Sequence, residues 1–215
     1  EYVRRAADLL GKAERPVLLI GSGVGHSRAS NEVLRLAETI GAPIFLERNS
    51  FYIDFPTQSP LFAGDFTQHR SAVKNADLLL VVGGRTAIEM HYNPDHRYDF
   101  PCVIQITSDA EDMGLVHRVD VGIIADPREA LKDILEALKE KGSIPDPETV
   151  KARTESAQSS RLTRREAIES RIGNLPTGDP VASSRVLHSL AQIADNDPVV
   201  VTVSPSSEGM ALNLM

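Results

Sequence analysis

The chain has 215 residues, 41% of them hydrophobic and 25% charged, which is enough apolar mass for one well-packed domain and an appendage. A formal net charge of −7 disfavours non-specific binding to nucleic acid and to anionic membranes. The single cysteine, Cys102, excludes an internal disulfide and suits a reducing cytoplasm, and no apolar run approaches the roughly 20 residues of a membrane-spanning helix.

Tyr2, Ala6, Leu9 and Leu10 fall at helical spacing with Gly11 as the stop, so Glu1–Glu14 reads as an amphipathic helix rather than a signal peptide. Pro16 opens a strand, Val17–Ile20, and Gly21-Ser22-Gly23-Val24-Gly25 follows as a loop. Ser30 or Asn31 is the expected cap of the next helix, whose apolar face is Val33, Leu34, Leu36, Ala37 and Ile40. Gly41 ends that helix, and Ala42–Glu47 is the second strand. Asn49–Phe66, rich in aromatics and proline, reads as a long irregular connection of the kind that carries function or is covered. A short helix near Ser71–Asn75 precedes the strand Leu78–Val82, and Gly83–Phe100 is a second long connection. Then come strand Cys102–Thr107, a short helix near Ala110–Met113, strand Val121–Ala125 and the helix Pro127–Lys141. Pro127 suits the first turn of that helix, and Leu131, Ile134, Leu135 and Leu138 form its buried stripe.

Two linkers, Gly142–Thr149 and Asn174–Pro180, flank Val150–Ile172, whose charges of both signs and weak apolar face predict a solvated connecting helix. An amphipathic helix over Ser183–Ala194, a strand over Val199–Val203 and a small-residue loop over Ser204–Gly209 follow, and Met210 opens a further helix. The expected domains are therefore residues 1–142, a linker with a charged helix over 143–182, and the beginning of a second domain over 183–215. The chain opens on Glu1 rather than Met and stops as a strand–loop–helix unit begins, so an internal piece of a longer polypeptide is expected.

Apolar runs closed by small or acidic residues recur: VLLIGSG, DLLLVVGGR, VIQITSD and VDVGIIAD. Helical patterns between such runs predict a parallel sheet with binding groups at the strand C-terminal ends. The expected fold is α/β, a six-stranded, mostly parallel, doubly wound sheet of the Rossmann-like, NAD- or FAD-binding kind, with a C-terminal extension.

Gly21, Gly23 and Gly25 lie between a strand and a helix, where backbone N–H groups can approach a phosphate. Their spacing is not GxGxxG, and a tight turn needs glycine for steric reasons alone. Arg85 after Gly83-Gly84 can clamp a diphosphate or pair with a nearby acid. Asp109 and Asp126 end strands where an acid can accept ribose hydroxyls or cap the following helix. His91, His96 and His117 lack metal-ligand spacing, and no nucleophile–base constellation is assignable.

In order along nearly the whole chain, ERPVLLIGSGV, LAETIGAPIF, FPTQSPLFAG, NADLLLVVGGR, YDFPCVIQITSDAEDMG and VDVGIIADPREAL resemble the central domain of thiamine-diphosphate-dependent enzymes. SSRVLHSLAQIADNDPVVVTVSPSSEGMALNLM resembles the start of their diphosphate-binding domain. FPT-x-x-P-x-F-x-G, the T-x-D after the fifth strand and the serine-rich loop at Ser204–Ser207 point to the benzoylformate decarboxylase and acetolactate synthase group. Ile106-Thr107-Ser108-Asp109 departs from the I-D-x-D of flavin-binding members, so FAD is not expected. Val203 departs from the acidic residue many relatives carry.

The resemblance implies a parent enzyme, a 2-oxo-acid decarboxylase (a lyase) or carboligase (a transferase), using thiamine diphosphate and Mg²⁺. It implies a homodimer or homotetramer, in the cytoplasm, with no nucleic-acid or membrane partner. The family's pyrimidine-activating glutamate and its GDG…N metal segment are absent from these residues, so the fragment alone is expected to be inactive and to bind no cofactor. Ser206 and Ser207 match the family loop that donates to the diphosphate in the full-length protein. The alternative is a free-standing domain binding NAD, FAD or ADP through Gly21–Gly25, Arg85 and Asp109.

Overall fold

The computed structural model describes residues 1–47, 50, 52, 55–66, 73–85, 100–175, 181–194 and 201. These fall in two compact units, Glu1–Gln158 and Ser159–Met215. The elements are α1 (Tyr2–Lys12), β1 (Pro16–Ile20), α2 (Ser22–His26), α3 (Ser30–Ile40), β2 (Ile44–Leu46), β3 (Phe62–Asp65), β4 (Leu78–Val82), β5 (Val103–Thr107), β6 (Val121–Ile124), α4 (Pro127–Glu140), α5 (Pro147–Gly173) and α6 (Ser183–Ile193).

In the first unit, six strands form one sheet in the order β3-β2-β1-β4-β5-β6. Every pairing in it is parallel. The α/β doubly wound expectation holds, and the order is the one that reverses winding between β1 and β4. All five residues of β1, β4 and β5 are buried, as a parallel sheet covered on both faces requires. Val17, Leu19, Phe45, Leu79, Val81 and Val103 pack on one face with Phe66, Val73 and Ala76, and Phe100 and Val119 close over them. Alternation turns Leu18, Leu80, Ile104 and Ile106 to the other face. There α1, α3 and α4 lie side by side, burying Leu10, Val33, Leu36, Ile40, Leu131, Ile134 and Leu138. Each such aliphatic side chain contributes about 1.5–3 kcal/mol on leaving water.

Several local expectations are corrected. Gly11 does not stop α1, which runs to Lys12; a Cβ on Gly11 would lie 2.4 Å from the Ser143 carbonyl, so the glycine is there for close approach. The segment read as a loop over Gly21–Gly25 is a one-turn helix, α2, starting at Ser22. Because α2 runs almost directly into α3, the α3 N-cap is Ala29, and neither Ser30 nor Asn31 caps it; Arg28, with φ 52°, makes the turn between the two helices. The segment read as irregular over Asn49–Phe66 contains β3, whose register slips beside Gly64 at φ 89°. The helix predicted over Val150–Ile172 extends over Pro147–Gly173, and its first turns are tied to the first unit through Arg153.

In the second unit, α6 ends at Ile193, and Arg185 donates to the Leu175 carbonyl. Ser206, Ser207, the Val199–Val203 strand apart from Val201, and Ser71 and Ala72 of the helix predicted near Ser71–Asn75 lie outside the described residues, as do His91 and His96.

Candidate functional site

The strands deliver five sequence-nominated residues to the C-terminal edge of the sheet. Gly21 follows β1, Gly23 and Gly25 lie in α2, Arg85 follows β4 and Asp109 follows β5. Their neighbours decide what each can do.

Gly21 and Gly23 face Gly83 and Gly84 across the gap between β1 and β4. Gly21 N–H donates to the Val82 carbonyl at 3.0 Å, and Gly23 N–H donates to the Gly83 carbonyl at 2.9 Å. Val24 N–H donates to the Gly21 carbonyl at 3.0 Å. A Cβ on Gly23 would lie 2.7 Å from Gly83 Cα, a contact real Cβ atoms do not make. Gly83, at φ 60°, supplies the left-handed turn that brings the two segments together. Gly25 makes room for Tyr52, whose ring stacks on His26 at 5.7 Å between centroids.

Arg85 is held at both ends. Its backbone N–H donates to both carboxylate oxygens of Glu47, at 2.8 and 3.0 Å, and its Nε donates to Asp112 Oδ1 at 2.7 Å. Asp109 accepts the Glu111 N–H at 2.9 Å, capping the short turn Ala110–Asp112. Asp126 caps α4 by accepting from the N–H groups of Arg128 and Glu129.

Two residues at this edge were not nominated from sequence. Glu47, just past β2, is buried against Gly21 and Gly84. Gln105, in the middle of β5, is fully buried. Its amide nitrogen donates to the carbonyls of Gly84 and Asp112, and its oxygen accepts the Gly114 N–H. Glu47, Arg85, Asp112 and Gln105 thus form one polar network across the ends of β2, β4 and β5. The only hint in the sequence was a polar residue inside or beside an apolar run, and such residues need partners when buried.

Beside the network, Ile20, Val24, Leu46, Tyr52 and Phe55 enclose a cavity of about 10 Å³ next to Ser50, room for about one water molecule. Cys102 is partly exposed, and burial together with Asp120 pushes its thiol above the usual range, which makes it a poor nucleophile. Burial lowers the pKa of His117. Among the described residues no group of three His, Cys, Asp or Glu side chains is placed to hold a metal. No helix among them is long and apolar enough to cross a membrane.

Among the described residues, the switch-point edge of this doubly wound α/β domain is closed by direct packing of the β1 and β4 ends. The family model for the thiamine pyrophosphate enzyme central domain matches residues 3–134, and the chain belongs to that family. Similar curated proteins include a sulfoacetaldehyde acetyltransferase from Castellaniella defragrans, 32% identical over 60% of this chain and 23% of its own length. The acetolactate synthase large subunit of Corynebacterium glutamicum is 29% identical over 64% of this chain and 22% of its own length. The chain therefore spans about a quarter of the curated relatives it matches. The crystal structure of benzoylformate decarboxylase from Polynucleobacter necessarius superposes with a TM-score of 0.68 at 18% identity, covering 99% of this chain and 37% of that one, which shows a shared fold.

Thiamine diphosphate, the cofactor this family implies, does not fit the described residues. The backbone donors at Gly21, Gly23 and Val24 are already bonded, and the adjacent cavity is far too small for its rings.

Proposed function

We propose that this chain is the structural central domain of a 2-oxo-acid decarboxylase or carboligase that uses thiamine diphosphate and Mg²⁺. In this reading the domain positions the neighbouring domains of the same polypeptide, which carry the catalytic groups. The parent is a cytoplasmic homodimer or homotetramer, and the isolated chain is inactive. The carrying observation is the family match over residues 3–134, joined to a sheet edge whose donors are already used within the domain. The named relatives, an acetyltransferase and an acetolactate synthase subunit, support a parent that is an enzyme. Ser206 and Ser207 are the residues of this chain proposed to donate to the diphosphate in the parent.

The reading is tested in the parent polypeptide by following consumption of a panel of 2-oxo acids with thiamine diphosphate and Mg²⁺. Cofactor-dependent turnover supports it, and its absence with every oxo acid refutes it. Replacing Ser206 and Ser207 by alanine should raise the cofactor concentration for half-maximal activity; a fall in stability alone would reduce the loop to a helix cap.

A further inference from the structure

The second unit has almost no core of its own. Among its described residues only Ile172 and Ser184 are buried. Yet α6 is amphipathic: Val186, Leu190 and Ile193 recur at i, i+4 and i+7 and share one face of the helix. These side chains are 47%, 44% and 79% exposed. The slightly longer α4 buries seven residues against its neighbours, whereas α6 buries Ser184 alone. Arg185 ties the start of α6 to the end of α5 by donating to the Gly173 and Leu175 carbonyls, so the helix is anchored while its apolar stripe is left uncovered. A helix of 11 residues is marginal in water unless such a stripe is packed.

We propose that the Val186, Leu190 and Ile193 stripe is the docking face for the remainder of the parent polypeptide, and that α6 becomes firmly helical only when that polypeptide covers it. The inference rests on the central-domain reading and deepens it by naming a surface that joins this chain to its neighbour. The superposition on benzoylformate decarboxylase takes in 99% of this chain and 37% of that one, so the second unit matches part of a larger fold whose other parts lie outside these 215 residues. Three aliphatic side chains in a row call for an apolar protein surface as the occupant. The only charged side chain of α6, Arg185, is used on backbone carbonyls, so the helix lacks the Lys- and Arg-rich polar face with which a helix lies on a membrane.

The test compares amide hydrogen exchange over Ser183–Ile193 in the 215-residue chain and in the parent polypeptide, with neither cofactor nor substrate present. Its failure therefore leaves the reading of the parent's chemistry untouched. Exchange over α6 should be at least about tenfold slower in the parent, and a smaller difference overturns the proposal. Protection already present in the 215-residue chain also overturns it: the stripe is then covered by the first unit, or by a second copy if the protection rises with concentration. Leu190→Lys should leave the urea midpoint of the 215-residue chain unmoved and return α6 in the parent to fast exchange. A folded parent variant that keeps the slow exchange overturns the stripe as the contact. Should that variant fail to fold, the comparison of the two wild-type proteins decides alone.

Discussion

Arg153 donates from Nη1 to the carbonyl of Ile40 at 2.8 Å, 113 residues away in the chain. Through Nη2 the same guanidinium reaches the Ala13 carbonyl at 2.7 Å. Both carbonyls belong to helix C-terminal ends, where unpaired oxygens and the helix dipole favour a cation. Val150 packs against Gly41 beside it. Replacing Arg153 by methionine should destabilise the chain by about 2 kcal/mol, and lysine, with one ammonium for two carbonyls, should fall between. Urea unfolding followed by circular dichroism gives the measurement; a methionine variant as stable as wild type would show that the contact is not stabilising.

Gly23→Ala should cost about 1–3 kcal/mol, because the new methyl meets Gly83 backbone rather than a side chain that can move aside. Gly173→Ala has nothing within 4 Å of its new Cβ and serves as the control, expected within about 0.5 kcal/mol of wild type. Equal effects of the two substitutions in denaturant melts would contradict the close approach of β1 and β4 ends.

Gln105→Leu keeps the volume of a fully buried side chain and strips its three hydrogen bonds. The Gly84 carbonyl is then left buried without that donor, at a cost of about 2 kcal/mol. Amide hydrogen exchange at Gly114, whose N–H the side chain accepts, should speed up in the variant. Unchanged exchange there would place the network elsewhere.

Much of this was legible in the sequence, and the reason is period and length. Val17–Ile20 and Leu78–Val82 are short apolar runs, and Cys102–Thr107 is one broken by Gln105, of the length and β-branched content that suit strands buried on both faces. The stripe Leu131, Ile134, Leu135 and Leu138 repeats at helical spacing. Asp126 before Pro127 announced its cap from two adjacent residues. What escaped was short or distant. β3 has four residues and a glycine at its register slip, so no period could reveal it. α2 is one turn rich in glycine, a composition that argues against a helix. Glu47 meets Arg85 across 38 residues, a contact that no local pattern encodes.

His117 has a pKa lowered by burial, so the unfolded chain binds its proton more readily than the folded one. The sign follows: stability from this residue is full above the ordinary imidazole value of about 6.5 and is lost as pH falls below it. NMR titration should place the His117 midpoint below that value, and His117→Gln should flatten the stability profile on its acid side. A midpoint above the ordinary value would mean that charge pairing outweighs burial.

The proposed role, a structural central domain that does not bind thiamine diphosphate in isolation, has a direct test. Calorimetric titration of thiamine diphosphate with Mg²⁺ into the 215-residue chain tests it most directly. No saturable heat is expected at millimolar cofactor; one-to-one, Mg²⁺-dependent binding in the micromolar range would contradict that role.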